Sequence, residues 1–228
     1  MKNVLVVAAE DFEFAGILSR AEKVVRPGWK VQFSRIAVLN GMRLLMAADG
    51  PGPRLAGKAA EEVKNREPFA AVVSTGLCGA LDPELPVGAI FVASQVNGWD
   101  ARQPVTAIKF RTGRLLSMDR VAGTAAEKAR LYAAGAEAVE MEAAAVESRA
   151  REWRLPFFCI RAVSDTASED IVLDLNEMRD QEGRFSRPRI IARALRSPFR
   201  MVPELLRLNR NSGRAAKALG DFFANCSF

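Results

Sequence analysis

The stretch Pro156-Phe157-Phe158-Cys159-Ile160-Arg161-Ala162-Val163-Ser164-Asp165 is largely apolar and ends in two polar residues. An apolar run of this length predicts a strand over 157–163 that is covered on both faces, as in a parallel sheet. Asp165 then follows the carboxyl end of that strand. Ligands gather at such ends in open α/β sheets, so this stretch predicts both a central strand and one wall of a binding site.

Similar buried strands are predicted at 3–9, 69–75 and 89–94, on either side of helical patterns. Two further strands, 31–39 and 42–48, meet at Asn40-Gly41, a hairpin signal. The remaining predicted elements are short strands at 105–110 and 114–117 and helices at 13–25, 54–66, 119–133 and 141–153. Strands and helices alternate, which indicates an α/β fold with a mixed central sheet.

The chain of 228 residues suits one domain, and its carboxyl-terminal part is basic. Residues 179–217 contain eleven Lys or Arg and three acids, whereas the whole chain has a net charge of +6. The stretch after Asp165 has a helical pattern. We therefore expect a catalytic domain at 1–178 and a basic helical appendage of the same domain at 179–228.

The composition excludes several kinds of site. Since the chain has no histidine, catalytic triads, metal sites and general bases that need histidine are excluded. Cys78 and Cys159 lie in apolar contexts and are expected to be reduced core thiols of a cytoplasmic protein. No apolar run reaches the roughly 18 residues of a membrane span, and the first residues predict a strand and not a signal peptide.

Four polar segments follow predicted strands or begin predicted helices, at 8–14, 74–81, 138–144 and 161–165. Each has an ordinary structural explanation. Acids favour helix amino termini, the glycines permit a tight turn, and Asp165 could cap a helix. Only the combination of the four suggests a common site.

Together the segments resemble the nucleoside phosphorylase superfamily, specifically its methylthioadenosine/S-adenosylhomocysteine nucleosidase branch, from residue 1 to about 168. The most specific matches are Val139-Glu140-Met141-Glu142-Ala143 and residues 156–165, and Gly76 to Gly88 resembles the family's glycine segment. The resemblance implies a three-layer α/β/α fold and, for many members, a homo-oligomer. Ser164-Asp165-Thr166-Ala167, Ser197-Pro198 and residues 203–208 narrow it to the hopanoid-associated phosphorylases, which are linked to adenine removal from adenosylhopane.

The resemblance also implies roles for individual residues. Asp165 would protonate N7 of the leaving purine, Glu142 would bind the ribose hydroxyls above Met141, and Glu13 would activate water. The spacing before Glu13 is one residue longer than usual, so Glu10 or Asp11 could replace it. The other residues expected to support the site or bind substrate are Glu140, Gly76, Leu77, Gly79, Val121, Phe157 (or Phe158) and Ser164.

The acceptor distinguishes a hydrolase from a phosphorylase. The positions at which phosphorylases of this fold hold phosphate correspond to Ser74 and Leu77, neither of which carries a charge; Arg43, Arg54 or Arg120 could hold phosphate instead. We therefore expect hydrolysis of a 5′-substituted adenosine. A phosphorylase and a non-catalytic nucleoside-binding protein are the alternatives. No cofactor or metal is expected, and inorganic phosphate would take part only in a phosphorylase.

The basic segment has three interpretations: a solvated helix face, a surface that docks on anionic lipid, or a nucleic-acid site. Apolar residues between the arginines favour lipid over nucleic acid, for which no motif is present. The family resemblance gives a small-molecule or lipid-linked nucleoside as the expected partner, and a lipid-docking segment would suit the lipid-linked form. Peripheral contact with the inner membrane face would go through this segment.

Overall fold

The computed structural model describes residues 1–171, 173 and 176–228. The strands of its main sheet are β1 (Lys2–Ala8), β2 (Lys23–Val25), β3 (Phe33–Leu39), β4 (Met42–Ala48), β5 (Ala71–Ala80), β6 (Ile90–Val96), β7 (Trp99–Asp100), β9 (Arg111–Ser117), β10 (Ala138–Glu140) and β11 (Phe157–Asp165), and a separate pair joins β8 (Val105–Thr106) to β12 (Cys226–Ser227). The helices are α1 (Ala15–Leu18), α2 (Pro53–Lys64), α3 (Ala125–Ala133), α4 (Ala143–Glu152), α5 (Arg187–Arg196) and α6 (Pro198–Phe223). Among these residues, no helix is long and apolar enough to cross a bilayer.

The sheet is mixed, with strand order β10-β9-β6-β11-β5-β1-β4-β3-β2. Strands β4, β1, β5 and β11 run parallel to one another, and their buried side chains are almost entirely apolar. Helices α2 and α4 cover one face, and α1 and α6 cover the other. The predicted three-layer α/β/α architecture is confirmed, since an amphipathic helix covers each apolar face of the sheet.

Strand β10, which was not predicted, closes part of the sheet into a ring. It pairs with β9 in parallel and with β5 in antiparallel register, where Val139 lies opposite Gly79. Because β10 runs antiparallel to β5, the residues that follow β10 are directed toward Leu77 and Gly76, in the second half of β5. The expected helix over 119–133 is accordingly shorter, because residues 119–124 form a loop before α3.

The helix predicted over 13–25 is wrong. A 3-10 turn over 11–14 leads into the single turn of α1, and the β-branched residues of β2 then pair with β3 at the edge of the sheet. Helix α1 lies very close to α6, since a methyl group on Gly16 would come within 1.8 Å of the Ala216 carbonyl oxygen.

The segment after Asp165 also differs from the expected continuous helix. The described residues between 166 and 186 form turns and a short bridge, and positions 172, 174 and 175 lie outside the described residues. The last part of α6 is no appendage, because its apolar side chains belong to the main core. These side chains are Ala215, Leu219, Phe222 and Phe223.

Candidate active site

The carboxyl ends of the parallel strands β1, β5 and β11 meet at one edge of the sheet, and a cavity of about 230 Å³ opens there. Residues from all four polar segments line it, as the parallel topology requires. The predicted site residues in its wall are Glu13, Leu77, Gly79, Val121, Glu140, Met141, Glu142, Ser164 and Asp165. A carboxylate therefore reaches the cavity from the end of β1, from the end of β11 and from the turn after β10.

Glu13 is buried and held by backbone donors. Its Oε2 accepts hydrogen bonds from the N–H groups of Ala9 (2.8 Å) and Glu10 (2.9 Å), and its Oε1 accepts one from Leu77 (2.7 Å). Burial raises the pKa of Glu13, and these hydrogen bonds offset only part of the rise. A carboxylate with a raised pKa is a better base toward water near neutral pH. Gly76 is outside the cavity wall, but a methyl group there would come within 2.5 Å of Glu13 Oε1.

Glu140 holds the turn after β10 in place. Its carboxylate accepts hydrogen bonds from the N–H groups of Glu142 (2.9 Å) and Ala143 (2.9 Å), and it forms an ion pair with Arg161. Arg161 is completely buried and also donates to the Thr75 carbonyl and the Ser74 hydroxyl, each at 2.6 Å. Neither buried charge is left without a partner, and the hydrogen bonds of Glu140 fix the turn after β10.

Glu142 stands at the amino terminus of α4, and its Oε1 accepts a hydrogen bond from the Gly52 N–H at 2.7 Å. Burial, followed by repulsion from Glu140, raises the pKa of Glu142 to about 8. Adjacent Met141 is buried, and its sulfur accepts a hydrogen bond from the Arg179 guanidinium at 3.2 Å. Burial thus favours the protonated form of Glu142 in the free protein, and hydroxyl donors of a bound ligand would favour its ionised form.

Asp165 is aimed by a β-bulge. Val163 pairs with Cys78 and Asp165 with Gly79, so Ser164 is the extra residue on β11. Bulges re-aim side chains at the ends of strands. The Ser164 hydroxyl lies 2.7 Å from Asp165 Oδ1, and the Lys128 ammonium donates to Oδ2 at 2.5 Å. Asp165 therefore enters the cavity with both oxygens engaged.

Phe157 does not belong to the cavity, in contrast to the prediction. It begins β11, whereas Asp165 ends that strand, and its ring packs in the core beneath α2 and α4. Phe158 lies at the same distant end and packs against Phe228. Val121 does line the cavity. The cavity wall also contains apolar residues that the sequence does not predict: Phe12, Pro51, Ile171, Phe185 and Leu208.

The groups considered for phosphate are mostly engaged elsewhere. Arg43 forms an ion pair with Glu67, and Arg54 donates to the Glu182 carbonyl. Ser74 is buried, and its hydroxyl already accepts a hydrogen bond from Arg161. Arg120 is the one cation among the described residues of the cavity wall, and it is paired with Glu127. The described walls therefore present carboxylates and apolar groups, with little positive charge for an anion.

Comparison with known proteins gives a consistent family and fold. A family model described as "Phosphorylase superfamily" matches residues 3–109 and 102–187. The 5′-methylthioadenosine/S-adenosylhomocysteine nucleosidase of Shewanella sediminis (strain HAW-EB3) is 26% identical over 158 residues, which are 54% of this chain and 68% of that protein.

Two solved structures share the whole architecture. The S-adenosylhomocysteine nucleosidase of Streptococcus pyogenes, in complex with 5-methylthiotubericidin, has a TM-score of 0.68 and 17% identity, with 98% of this chain and 96% of that chain covered. A futalosine hydrolase mutant of Helicobacter pylori strain 26695 has a TM-score of 0.66 and 15% identity, with 97% and 96% covered. At these identities the likeness shows the fold and leaves the reaction to be argued from the site.

Proposed function

Because the chain belongs to the phosphorylase superfamily, we propose that it cleaves the N-glycosidic bond of a 5′-substituted adenosine by hydrolysis and releases adenine. The observation that carries the proposal is the convergence of Glu13, Glu142 and Asp165 on one cavity. Relatives named as 5′-methylthioadenosine/S-adenosylhomocysteine nucleosidases support the same reaction class.

Each carboxylate has a separate task in this reaction. The C1′–N9 bond breaks toward a ribosyl cation, and the bonding electrons leave on the purine. Asp165 delivers a proton to N7, so that the purine departs as a neutral base. Glu142 accepts hydrogen bonds from the 2′- and 3′-hydroxyls and stabilises the positive charge on the sugar. Glu13 takes a proton from the water that attacks C1′.

Water is the proposed acceptor because the cavity offers little to an anion. The Leu77 N–H, at a position where phosphorylases of this fold hold phosphate, is already bonded to Glu13. Ionised Glu13, the proposed base, would also repel a phosphate dianion at close range. Incubation with methylthioadenosine, adenosylhomocysteine, inosine and an adenosylhopane extract, with and without inorganic phosphate, tests this choice. Free adenine and free sugar without phosphate support the proposal, whereas strict phosphate dependence contradicts it.

The 5′-substituent is proposed to be extended and apolar, as in adenosylhopane. Phe12, Ile171, Phe185 and Leu208 form an apolar part of the cavity wall. Leu208 belongs to α6, so the cavity wall is continuous with the carboxyl-terminal helices. Faster adenine release from adenosylhopane than from methylthioadenosine supports this assignment, and the reverse order contradicts it.

We further propose that α5 and the first half of α6 dock on an anionic bilayer, with the protein cytoplasmic. Their inner face packs through Ile190, Met201 and Leu205 on Leu173 and Met178. The outer face leaves large apolar side chains in solvent at helical spacing. These are Ile191, Leu195 (74% exposed), Phe199 (97% exposed), Val202 and Leu206.

Exposed Arg189, Arg193 and Arg210 lie on the same two helices. Arg210 follows Leu206 by about one turn and shares the apolar face of α6, whereas Arg189 and Arg193 are two residues from Ile191 and lie on the other side of α5. An exposed apolar face with arginines on the same helices is the pattern of a helix at a membrane interface. Removing everything after residue 178 would also remove core side chains of α6, so point variants are the better test.

Leu195→Asp/Phe199→Asp is expected to abolish co-sedimentation with vesicles that contain phosphatidylglycerol, because charge replaces the inserted apolar groups. Val105→Asp, at an exposed apolar site away from these helices, is the matched control and should pellet like the wild type. Equal pelleting of all three proteins would contradict docking. Loss of self-association in place of vesicle binding would assign the face to a homo-oligomer instead.

A further inference from the structure

Lys128 is the one buried residue of α3. The other eight residues of the helix are exposed or partly exposed, while the lysine is 0% exposed and points into the molecule. Fully buried lysines are rare unless they are paired, because burial removes the hydration of the ammonium. The apolar packing of α3 therefore does not explain why Lys128 is buried.

The Lys128 ammonium has three acceptors for its three protons. Nζ donates to Asp165 Oδ2 at 2.5 Å, to the Thr166 carbonyl at 2.9 Å and to the Glu169 carbonyl at 3.1 Å. Asp165 is itself 6% exposed. In such a buried pair, desolvation disfavours both charges, so the ion pair and the neutral pair differ less in free energy than in water.

We propose that Lys128 is a positioning residue that supplies the proton which Asp165 passes to purine N7; this inference rests on the proposed function. The proton moves from Nζ to Asp165 Oδ2, giving a neutral amine and a carboxylic acid. Asp165 then gives that proton to N7 as the electrons of the C1′–N9 bond move to the purine. The amine keeps its two N–H bonds to the carbonyls of Thr166 and Glu169, and solvent returns its proton after adenine leaves.

This assignment removes a difficulty in the chemistry. A carboxylate that is ion-paired with an ammonium group has no proton of its own to give. If the proton comes from Lys128, the ion pair is itself the active form. Activity then persists at alkaline pH, where an isolated carboxylic acid would be deprotonated.

The other ionisable groups near the pair do not reproduce this behaviour. Burial holds the pKa of Cys78 well above its usual range. Burial raises the pKa of Glu169, but hydrogen bonds from the Thr166 N–H and from Arg207 lower it by more than burial raises it. The net shift of the Glu169 pKa is therefore downward. A hydrogen bond from Arg120 lowers the pKa of Glu127 on α3. Glu13 and Glu142 share the cavity, and they are the same in every variant compared below.

The test compares pH profiles of kcat, because kcat refers to the enzyme with ribose bound on Glu142. Lys128→Met is expected to lose about 10²- to 10⁴-fold in kcat near pH 8 and much less near pH 5.5, where Asp165 can take its proton from water. Lys128→Arg keeps the positive charge but holds its protons, so it is expected to lose activity near pH 8 as well. Lys109→Met, at an exposed position, is the matched control and should follow the wild type.

Three results would overturn the assignment. Lys128→Met could lose the same factor at every pH, which would indicate a purely structural tether. Lys128→Arg could retain wild-type kcat near pH 8, which would indicate that charge alone matters. The wild-type kcat could fall with a single ionisation between about pH 5 and 7, and this last measurement needs no variant to fold. A wild type that releases no adenine from any nucleoside would instead contradict the proposed function.

Discussion

Asp165→Asn is expected to lower kcat for adenine release by about 10²- to 10⁴-fold, because the amide cannot deliver a proton to N7. Asparagine has nearly the same shape and can still accept from the Ser164 hydroxyl that lies 2.7 Å from Oδ1. The geometry is therefore largely kept while the proton donor is lost. Chromatography of adenine at saturating substrate measures the change.

Asp165→Asn also leaves the Lys128 ammonium without its counter-charge, so some loss of stability is expected. Thermal unfolding and nucleoside binding separate that loss from the catalytic effect. Asp100→Asn, at an exposed position outside the cavity, is the matched control. Retention of more than about a tenth of the wild-type kcat by a folded Asp165→Asn protein would remove Asp165 from the chemistry.

Glu142→Gln is expected to make the protein more stable at alkaline pH while it loses about 10²-fold or more in kcat/KM. Glutamine keeps an oxygen for the Gly52 N–H. It lacks the negative charge that stabilises the ribosyl cation, and it accepts fewer hydrogen bonds from the two hydroxyls. The loss of activity and the gain in stability thus arise from the same carboxylate.

The direction of the stability change follows from the pKa of Glu142, which burial and Glu140 raise from 4.5 to about 8. Between these values the folded state holds a proton that the unfolded state releases, so stability falls as pH rises through this range. Glutamine does not ionise, and the variant escapes this loss. Burial also raises the pKa of Glu13, which contributes a slope of the same sign in both proteins.

Melting temperatures measured near pH 5 and near pH 8.5 test this prediction. The wild type is expected to lose more stability between the two than Glu142→Gln, by several degrees for a domain of this size. Glu84→Gln, at an exposed position, provides the control. Parallel curves for the wild type and Glu142→Gln would mean that Glu142 is ionised in the folded protein over the whole range.

Strand ends that are readable from apolar runs predict the convergence of Glu13 and Asp165, whereas Glu142 follows β10, a strand that was not predicted, and is placed in the site by the family resemblance. Parallel strands put their carboxyl ends at one edge, so residues distant in sequence become neighbours. Phe157 was assigned to the site by the family resemblance, and this assignment conflicts with the rule that ligands bind at the carboxyl ends of strands, because Phe157 begins β11 and Asp165 ends it.

Lys128 could not be found in this way. It follows Glu127 in a helix of mixed polarity, and such a lysine is ordinarily solvated. Its burial depends on the loop of residues 166–169, whose carbonyls approach it only in the folded chain. The core role of Ala215, Leu219 and Phe222 was obscured for a related reason, since the preceding arginines dominate the composition of the segment.

Reaction in water enriched in oxygen-18 tests the proposed reaction most directly. With a 5′-substituted adenosine and no phosphate, hydrolysis is expected to give stoichiometric free adenine and a sugar that carries one heavy oxygen at C1. Added phosphate should change neither the rate nor the label. A sugar 1-phosphate that forms only when phosphate is present, or no release of base at all, would contradict the hydrolysis that we propose.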